Sequence, residues 1–395
     1  MKRIDKIPET ASPDELLIAV VNDDDLGKVE LALRRGANPN ACNPMGAPLV
    51  FTAAGLKSAA VLDALIAHGA DVNYGAPRFS ALHHSIMRMR SATTNSLLAA
   101  GCDPDGTKFE GCTPLHNAIA FSFAIGVELL LQAGANPASQ DLDGQIPLHY
   151  AAGFGDYNAA KLLLERETDP GAVDALGRTP MHLAARNGKV KVLDLLIRFG
   201  APIDARDHTR CTPLHYAAAS NNESAVSVLL VAGSNPLLRD GHGNTALHHA
   251  APVNNGPIAM ALLSAGIDPQ AQNHAGREAL ELTIGPVHGR GVQTALALLP
   301  QTAAAPNLKL HALLANLVRR ASDIDDCDVL LRELLQRKVS LSGLTARDFR
   351  LLIARNRRRN KRTGESGYPP QALRALRLLE AQDCLIPPEL LSEIL

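Results

Sequence analysis

The residues best suited to chemistry in this sequence are its 14 histidines, which can act as general bases or as metal ligands. Six of them recur at intervals of 33 residues: His83, His116, His149, His182, His215 and His248. A catalytic histidine belongs to one site, whereas a position that repeats at a fixed interval belongs to the architecture. His84 and His249 follow two of these positions, but consecutive helix residues point in different directions. The histidines therefore predict a structural role, with no metal site and no cofactor.

Other residue patterns also fail to indicate catalysis. Four aspartates between residues 323 and 328 form an acidic cluster, but the calcium-loop template puts Cys327 and Leu334 where oxygen ligands are required. Ser322 followed by acids is instead typical of a helix N-terminus. The sequence contains no phosphate-binding glycine loop, nucleophile elbow or kinase signature. We therefore expect no catalytic residue and no enzymatic activity.

Composition limits the class of protein further. The 39 Lys and Arg residues balance 40 Asp and Glu residues, which argues against a nucleic-acid partner for the chain as a whole. No apolar run reaches the length that spans a bilayer, and a charged, proline-containing stretch follows the first methionine. The six cysteines form no C-x-x-C pair, so we expect reduced thiols. These features predict a cytoplasmic or nuclear protein without a membrane partner.

The 33-residue interval also appears in the apolar residues. One apolar residue marks each of nine repeats: Leu16, Leu49, Leu82, Leu115, Leu148, Met181, Leu214, Leu247 and Leu280. Around these marks the sequence reads CTPLHNAIA from Cys112 and CTPLHYAAA from Cys211, and turns such as GANPN from Gly36 follow. These boxes and turns resemble the ankyrin repeat over about residues 10 to 305. The resemblance implies an all-α ankyrin-repeat solenoid of about nine helix-turn-helix units joined by hairpin fingers.

Local sequence signals support helices within each repeat. A proline after the box threonine suits the first turn of a helix, and a glycine after the second helix suits a left-handed turn. Three departures are informative: unit one lacks the box, Glu281 replaces the box histidine in unit nine, and Glu167 replaces the helix-ending glycine. We therefore expect residues 1–305 to form the array, with capping terminal units and an irregularity at Glu167.

The resemblance implies that the array is an interaction module whose box histidine is a structural clasp. A protein partner would lie on the concave face that the fingers and first helices form in this family. The candidate contacts are the residues at the tips of the predicted fingers: Phe109, Glu110, Asp141, Asp143, Arg178, Asp207, Arg210, Asp240, His242, Asn273 and His274.

Residues 306–395 differ from the array because the repeat stops and the sequence becomes basic and helical in pattern. SLSGLTARDFR from Ser340 and LIPPELLSEIL from Leu385 resemble the two segments of a SOCS box, which implies elongin B/C and a cullin as partners of a ubiquitin-ligase adaptor. Thr345, Ala346 and Ile386 depart from that pattern. The last segment also resembles the start of an F-box, and a third interpretation is a helical cap on a non-catalytic scaffold or sequestering protein. The candidate adaptor-binding residues are Leu341, Leu344, Phe349, Pro387, Pro388, Leu390 and Leu391.

Overall fold

The computed structural model describes residues 11–74, 80–106, 111–283 and 292–298, together with Leu330. Over these residues it contains nine consecutive pairs of α-helices and no β-strand, which confirms the predicted all-α repeat fold. The first helices of the pairs are α1 (Pro13–Val20), α3 (Leu49–Ala54), α5 (Ala81–Met87), α7 (Pro114–Ala120), α9 (Pro147–Phe154), α11 (Pro180–Arg186), α13 (Pro213–Ala219), α15 (Ala246–Ala250) and α17 (Ala279–Thr283). The second helices are α2 (Leu26–Arg34), α4 (Ala60–Ala67), α6 (Ser91–Ala99), α8 (Ala124–Gln132), α10 (Tyr157–Leu164), α12 (Val190–Arg198), α14 (Glu223–Val231), α16 (Gly256–Ser264) and α18 (Val292–Leu298).

The helices form two compact units. One comprises Met1–Ala184 and Lys191–Pro202, and the other comprises Ala185–Val190 and Ile203–Leu395. Within the first unit α5 packs on α7 and α7 on α9, while in the second unit α13 packs on α15 and α15 on α17. Within each unit these first helices contact the first helix of the next pair, which is how stacked repeats share a core.

The repeated apolar position supplies that core from the second repeat onwards. Leu49, Leu115 and Leu280 are buried, as are the corresponding residues between them. Unit one departs from the predicted spacing: Leu17 is fully buried and Leu16 is only partly buried. The cause is an early helix start, because Ser12 caps α1 two residues before the position that the threonine holds in later repeats. The residue at the 33-residue spacing in unit one, Leu16, is therefore only partly buried.

Small residues allow the first helices to approach closely. Ala151 and Ala152 in α9 and Ala217 and Ala218 in α13 are fully buried. Helix starts follow the predicted chemistry: Thr113 and Thr212 are extended N-cap residues, each followed by proline at the first helical position. The sequence of the box therefore specifies both where a helix begins and how near its neighbour lies.

The second helices are followed by a residue in the left-handed backbone conformation. Gly134 has φ of 88° after α8, and Glu167 has φ of 60° at the equivalent place after α10. The Glu167 N–H still donates to Leu164 O, and Thr168 N–H donates to Leu163 O, so the turn is kept. However, α10 is eight residues long where α8 has nine, and the buried Thr168 hydroxyl has no hydrogen-bond partner among the described residues. The predicted irregularity is thus confined to one strained residue and its neighbour.

The fold also bears on membrane association. Among the described residues, no helix is long and apolar enough to cross a bilayer.

Candidate functional site

Five of the described box histidines each join one repeat to the next. In α7, His116 Nδ1 accepts hydrogen bonds from the Thr113 N–H at 3.2 Å and the Thr113 hydroxyl at 2.9 Å. Its Nε2–H donates to the carbonyl of Gln145, 29 residues along the chain, at 3.0 Å. His215 and His248 repeat this arrangement towards Asn244 and Arg277. His149 bonds to the Arg178 carbonyl in the same way, but its Nδ1 accepts only the Ile146 N–H. The structural role expected for these histidines is therefore what the contacts show.

Burial keeps these imidazoles neutral. It lowers the pKa of His116, His149 and His248 below the ordinary value of 6.5. Burial, assisted by the nearby His249, lowers the pKa of His215 to about 4. A neutral imidazole with Nε2 protonated can accept at Nδ1 and donate at Nε2, as the clasp requires.

Glu281 replaces the histidine in unit nine and makes only one of its two contacts, the hydrogen bond to the start of its own helix. Its Oε2 accepts the Glu278 N–H at 2.7 Å, as Nδ1 does in the other repeats. An ionised carboxylate has no N–H to donate to a further carbonyl. Unit nine therefore keeps the contact within the repeat, and its capping role stays a prediction.

In the six finger loops that the structure describes in full, an Asp or Asn side chain builds the loop. Asp240 Oδ1 accepts the backbone N–H groups of His242 and Asn244, both at 2.8 Å. The same pair of bonds, two and four residues along, is made by Asn43, Asp141, Asp174, Asp207 and Asn273. This side-chain turn is the one that Asp and Asn favour, and it fixes the shape of the loop.

The second oxygen of each finger aspartate is bound by a side chain. The hydroxyls of Tyr150 and Tyr216 donate to Asp141 and Asp207, each at 2.8 Å. Arg178 forms an ion pair with the buried Asp174, at 2.7 Å. His249 takes the place of the tyrosine beside Asp240, with Nε2 at 2.8 Å from Oδ2.

These contacts divide the predicted binding residues into three groups. Asp207 and Asp240 are only 6% and 4% exposed, so we correct their assignment as surface contacts: their oxygens are used to build the loop. Asp141, Arg178 and Asn273 are half-buried. The exposed members are Asp143, Arg210, His242 and His274. Phe109 and Glu110 lie outside the described residues, as do all the candidate adaptor residues from Leu341 to Leu391.

Exposed apolar residues at the finger tips of the first unit were missed from the sequence. Met45 is 79% exposed, Leu142 is 78% exposed and Leu176 is 56% exposed. The sequence does contain a pattern that could identify them, because each lies between the loop-forming Asn or Asp and the finger glycine. An exposed apolar residue at the tip of a rigid loop is typical of a protein contact.

The finger tips of the second unit are basic instead. Arg206, His208, Arg210, His242 and His274 are all exposed. Arg239 donates to the carbonyls of Gly243 and Gln272, at 3.1 and 2.6 Å, and Arg206 donates to the Arg239 carbonyl. Guanidinium groups therefore tie neighbouring fingers together and add positive charge to the same surface.

Arg210 is in a strained conformation. Its φ is 64°, at a finger position where the other described fingers have glycine. Those glycines are Gly46, Gly111, Gly144, Gly177, Gly243 and Gly276. A left-handed conformation costs a non-glycine residue roughly 1–2 kcal/mol. Strain of this kind is concentrated at functional sites, so Arg210 is the strongest candidate contact in the second unit.

One cluster in the described residues has the side chains of a metal site. Potential ligand atoms of Cys211, Asp240 and His249 all lie within 4.8 Å of one another. Burial raises the pKa of the Cys211 thiol, which makes it a poor nucleophile without a bound cation. The Asp240 carboxyl is also buried, but hydrogen bonds from Asn244 and His249 lower its pKa to about 2. The group thus combines a thiol, an ionised carboxylate and an imidazole.

Comparison with protein families agrees with the geometry. A model for ankyrin repeats in three copies matches residues 82–174 and 166–240, and a single ankyrin-repeat model matches residues 242–274. The chain therefore contains ankyrin repeats, which are protein–protein interaction modules. No SOCS-box model matches it. A search of curated proteins finds no match to the chain.

Proposed function

We propose that this chain binds a protein partner through its finger tips, and that the second unit recognises an acidic segment of that partner. The observation that carries the proposal is Arg210, held at positive φ where every other described finger uses glycine. A strained arginine at an exposed tip costs stability, and the cost is offset if the side chain is needed for contact.

The charges around Arg210 favour an acidic ligand. The loop aspartates Asp207 and Asp240 are buried and bonded within the fingers, so they add little negative charge to the exposed surface. Arg277 extends the basic surface, and it is exposed as well. Because Arg binds carboxylates with two parallel hydrogen bonds, glutamate and aspartate side chains are the groups that fit.

The test is affinity capture from cell extract, with proteins quantified by mass spectrometry for matched variants. One variant carries Arg210→Gly, His242→Ala and His274→Ala, and the control carries Arg198→Ala on α12, a second helix outside the predicted binding face. The proposal expects captured proteins to be lost from the finger variant and retained by the control. Equal capture by both variants would contradict it. Acidic segments should be enriched among the lost partners, and their binding should weaken as salt is added.

A second candidate role, substrate adaptor of a cullin-RING ubiquitin ligase, is supported only by the sequence segments from Ser340 and Leu385. In that role Leu341, Leu344 and Phe349 insert as apolar anchors into elongin C. Co-purification with elongins B and C distinguishes the roles. The adaptor requires elongins with the wild type and their loss with Leu344→Ala/Phe349→Ala. Their absence from the wild-type complex would favour the scaffold or a helical cap.

A further inference from the structure

We propose that Cys211, Asp240 and His249 form a zinc-binding site in the second unit, with one coordination position open. The three side chains come from a finger preceding α13, from the next finger and from α15. Their ligand atoms lie within 4.8 Å of one another, and His249 Nε2 is 2.8 Å from Asp240 Oδ2. Thiolate, imidazole and carboxylate are the three side-chain ligands that zinc takes in proteins.

Comparison between repeats shows what is particular to this place. The equivalent residues three repeats earlier are Cys112, Asp141 and Tyr150, with Cys112 Sγ at 3.4 Å from the Tyr150 oxygen. The Tyr150 hydroxyl donates to Asp141, and its pKa is raised by burial, so it remains a neutral phenol. Tyr216 holds the same position beside Asp207. Of these three described places, the one at Asp240 combines cysteine with histidine and so gives three zinc ligands.

The surrounding hydrogen bonds hold the carboxylate in place. Asp240 Oδ1 accepts two backbone N–H groups, and the Asn244 amide donates to Oδ2 at 3.1 Å. Such bonds orient a metal-binding carboxylate and strengthen its affinity for the ion. His249 is about a quarter exposed, which gives an ion access to the cluster.

The fit requires only small movements. Zinc bonds of about 2.0–2.3 Å in a tetrahedral arrangement separate ligand atoms by roughly 3.3–3.7 Å. The His249 and Asp240 atoms must therefore move apart by about half an ångström, and the Cys211 sulfur already lies within 4.8 Å of both. Binding releases the Cys211 thiol proton to solvent. His249 then carries its ring proton on Nδ1, while Nε2 exchanges its hydrogen bond to Asp240 for the ion. Three protein ligands leave a fourth position for water or for a side chain of a bound partner.

The experiment uses cobalt(II) as a spectroscopic probe of the full-length, reduced protein, followed by competition with zinc. We expect one cobalt per chain, with a thiolate-to-cobalt charge-transfer band and the strong visible absorption of tetrahedral coordination. Zinc should abolish both signals. Asn244→Ala should weaken the affinity about tenfold to a hundredfold.

Two variants decide the assignment, and a third is the control. His249→Tyr reproduces the arrangement seen at Tyr150 and Tyr216, so it should fold and lose the cobalt signal, as should Cys211→Ser. Cys112→Ser removes the equivalent thiol of another repeat and should keep the signal. Absence of a thiolate–cobalt band in the wild type, or a band that persists in His249→Tyr, would overturn the proposal.

Discussion

At His116 and at His149 one imidazole links two repeats, and the link depends on the protonation state of the ring. In His116 and His149, Nδ1 accepts a hydrogen bond and the Nε2–H donates one. A second proton on either ring would occupy Nδ1, which could then no longer accept. The sequence could predict this role, because the interval of the histidines is strict and threonine lies three residues before most of them.

The first prediction is that acid destabilises the array. The pKa of both His116 and His149 is lowered by burial, so below about pH 6.5 the unfolded chain binds more protons than the folded chain. The free energy of unfolding should therefore be level above pH 7 and should fall as the pH decreases from 6.5 towards the lowered folded pKa values.

Urea unfolding between pH 5 and 8, followed by circular dichroism, measures this dependence. The double variant His116→Gln/His149→Gln is the comparison, because an amide can accept and donate without titrating. Its stability should fall less between pH 7 and pH 5 than that of the wild type. Parallel curves for the two proteins would show that these histidines are not responsible.

At the scale of the element, the box and the helix ends determine each helix pair, and most of this could be predicted. Two details could not. The buried leucine of unit one is Leu17, because Ser12 begins α1 early. The burial of Asp207 and Asp240 depends on side chains of the next helix, which adjacent residues in the sequence do not reveal.

The second prediction tests the register of unit one. Leu17→Ala should lower the free energy of unfolding by about 3 kcal/mol, because it removes a fully buried side chain. Leu16→Ala should cost about 1 kcal/mol or less, since Leu16 is already partly in solvent. Chemical denaturation of the two variants measures the difference. If Leu16→Ala lowered the free energy of unfolding more than Leu17→Ala, the buried leucine of unit one would be Leu16, as the 33-residue spacing alone suggests.

The third prediction concerns the helix end at Glu167. Glu167→Gly should raise the free energy of unfolding by about 1 kcal/mol, because glycine adopts the left-handed conformation without steric cost. Gly134→Glu at the equivalent position should destabilise by a similar amount. Thermal unfolding of both variants provides the measurement. Destabilisation by Glu167→Gly would mean that the glutamate side chain makes a compensating contact.

At the scale of the whole molecule, the repeats are alike in architecture and differ at their tips. Met45 and Leu142 give the first unit apolar tips, while Arg210 and His242 give the second unit basic ones. The sequence predicted the fingers as the binding surface. Its candidate contacts, however, included the buried aspartates that form the turns, Asp207 and Asp240, together with the exposed tip residues. Repetition reveals architecture readily, whereas the residues that differ between repeats become meaningful once their exposure is known.

The central claim is that the finger tips bind a protein, and Arg210→Gly tests it most directly. The measurement is a binding isotherm for a captured partner with wild type and variant, accompanied by an unfolding curve for each. The account predicts that the variant is more stable by about 1 kcal/mol and binds its partner more weakly. An equally tight isotherm from the more stable variant would contradict it.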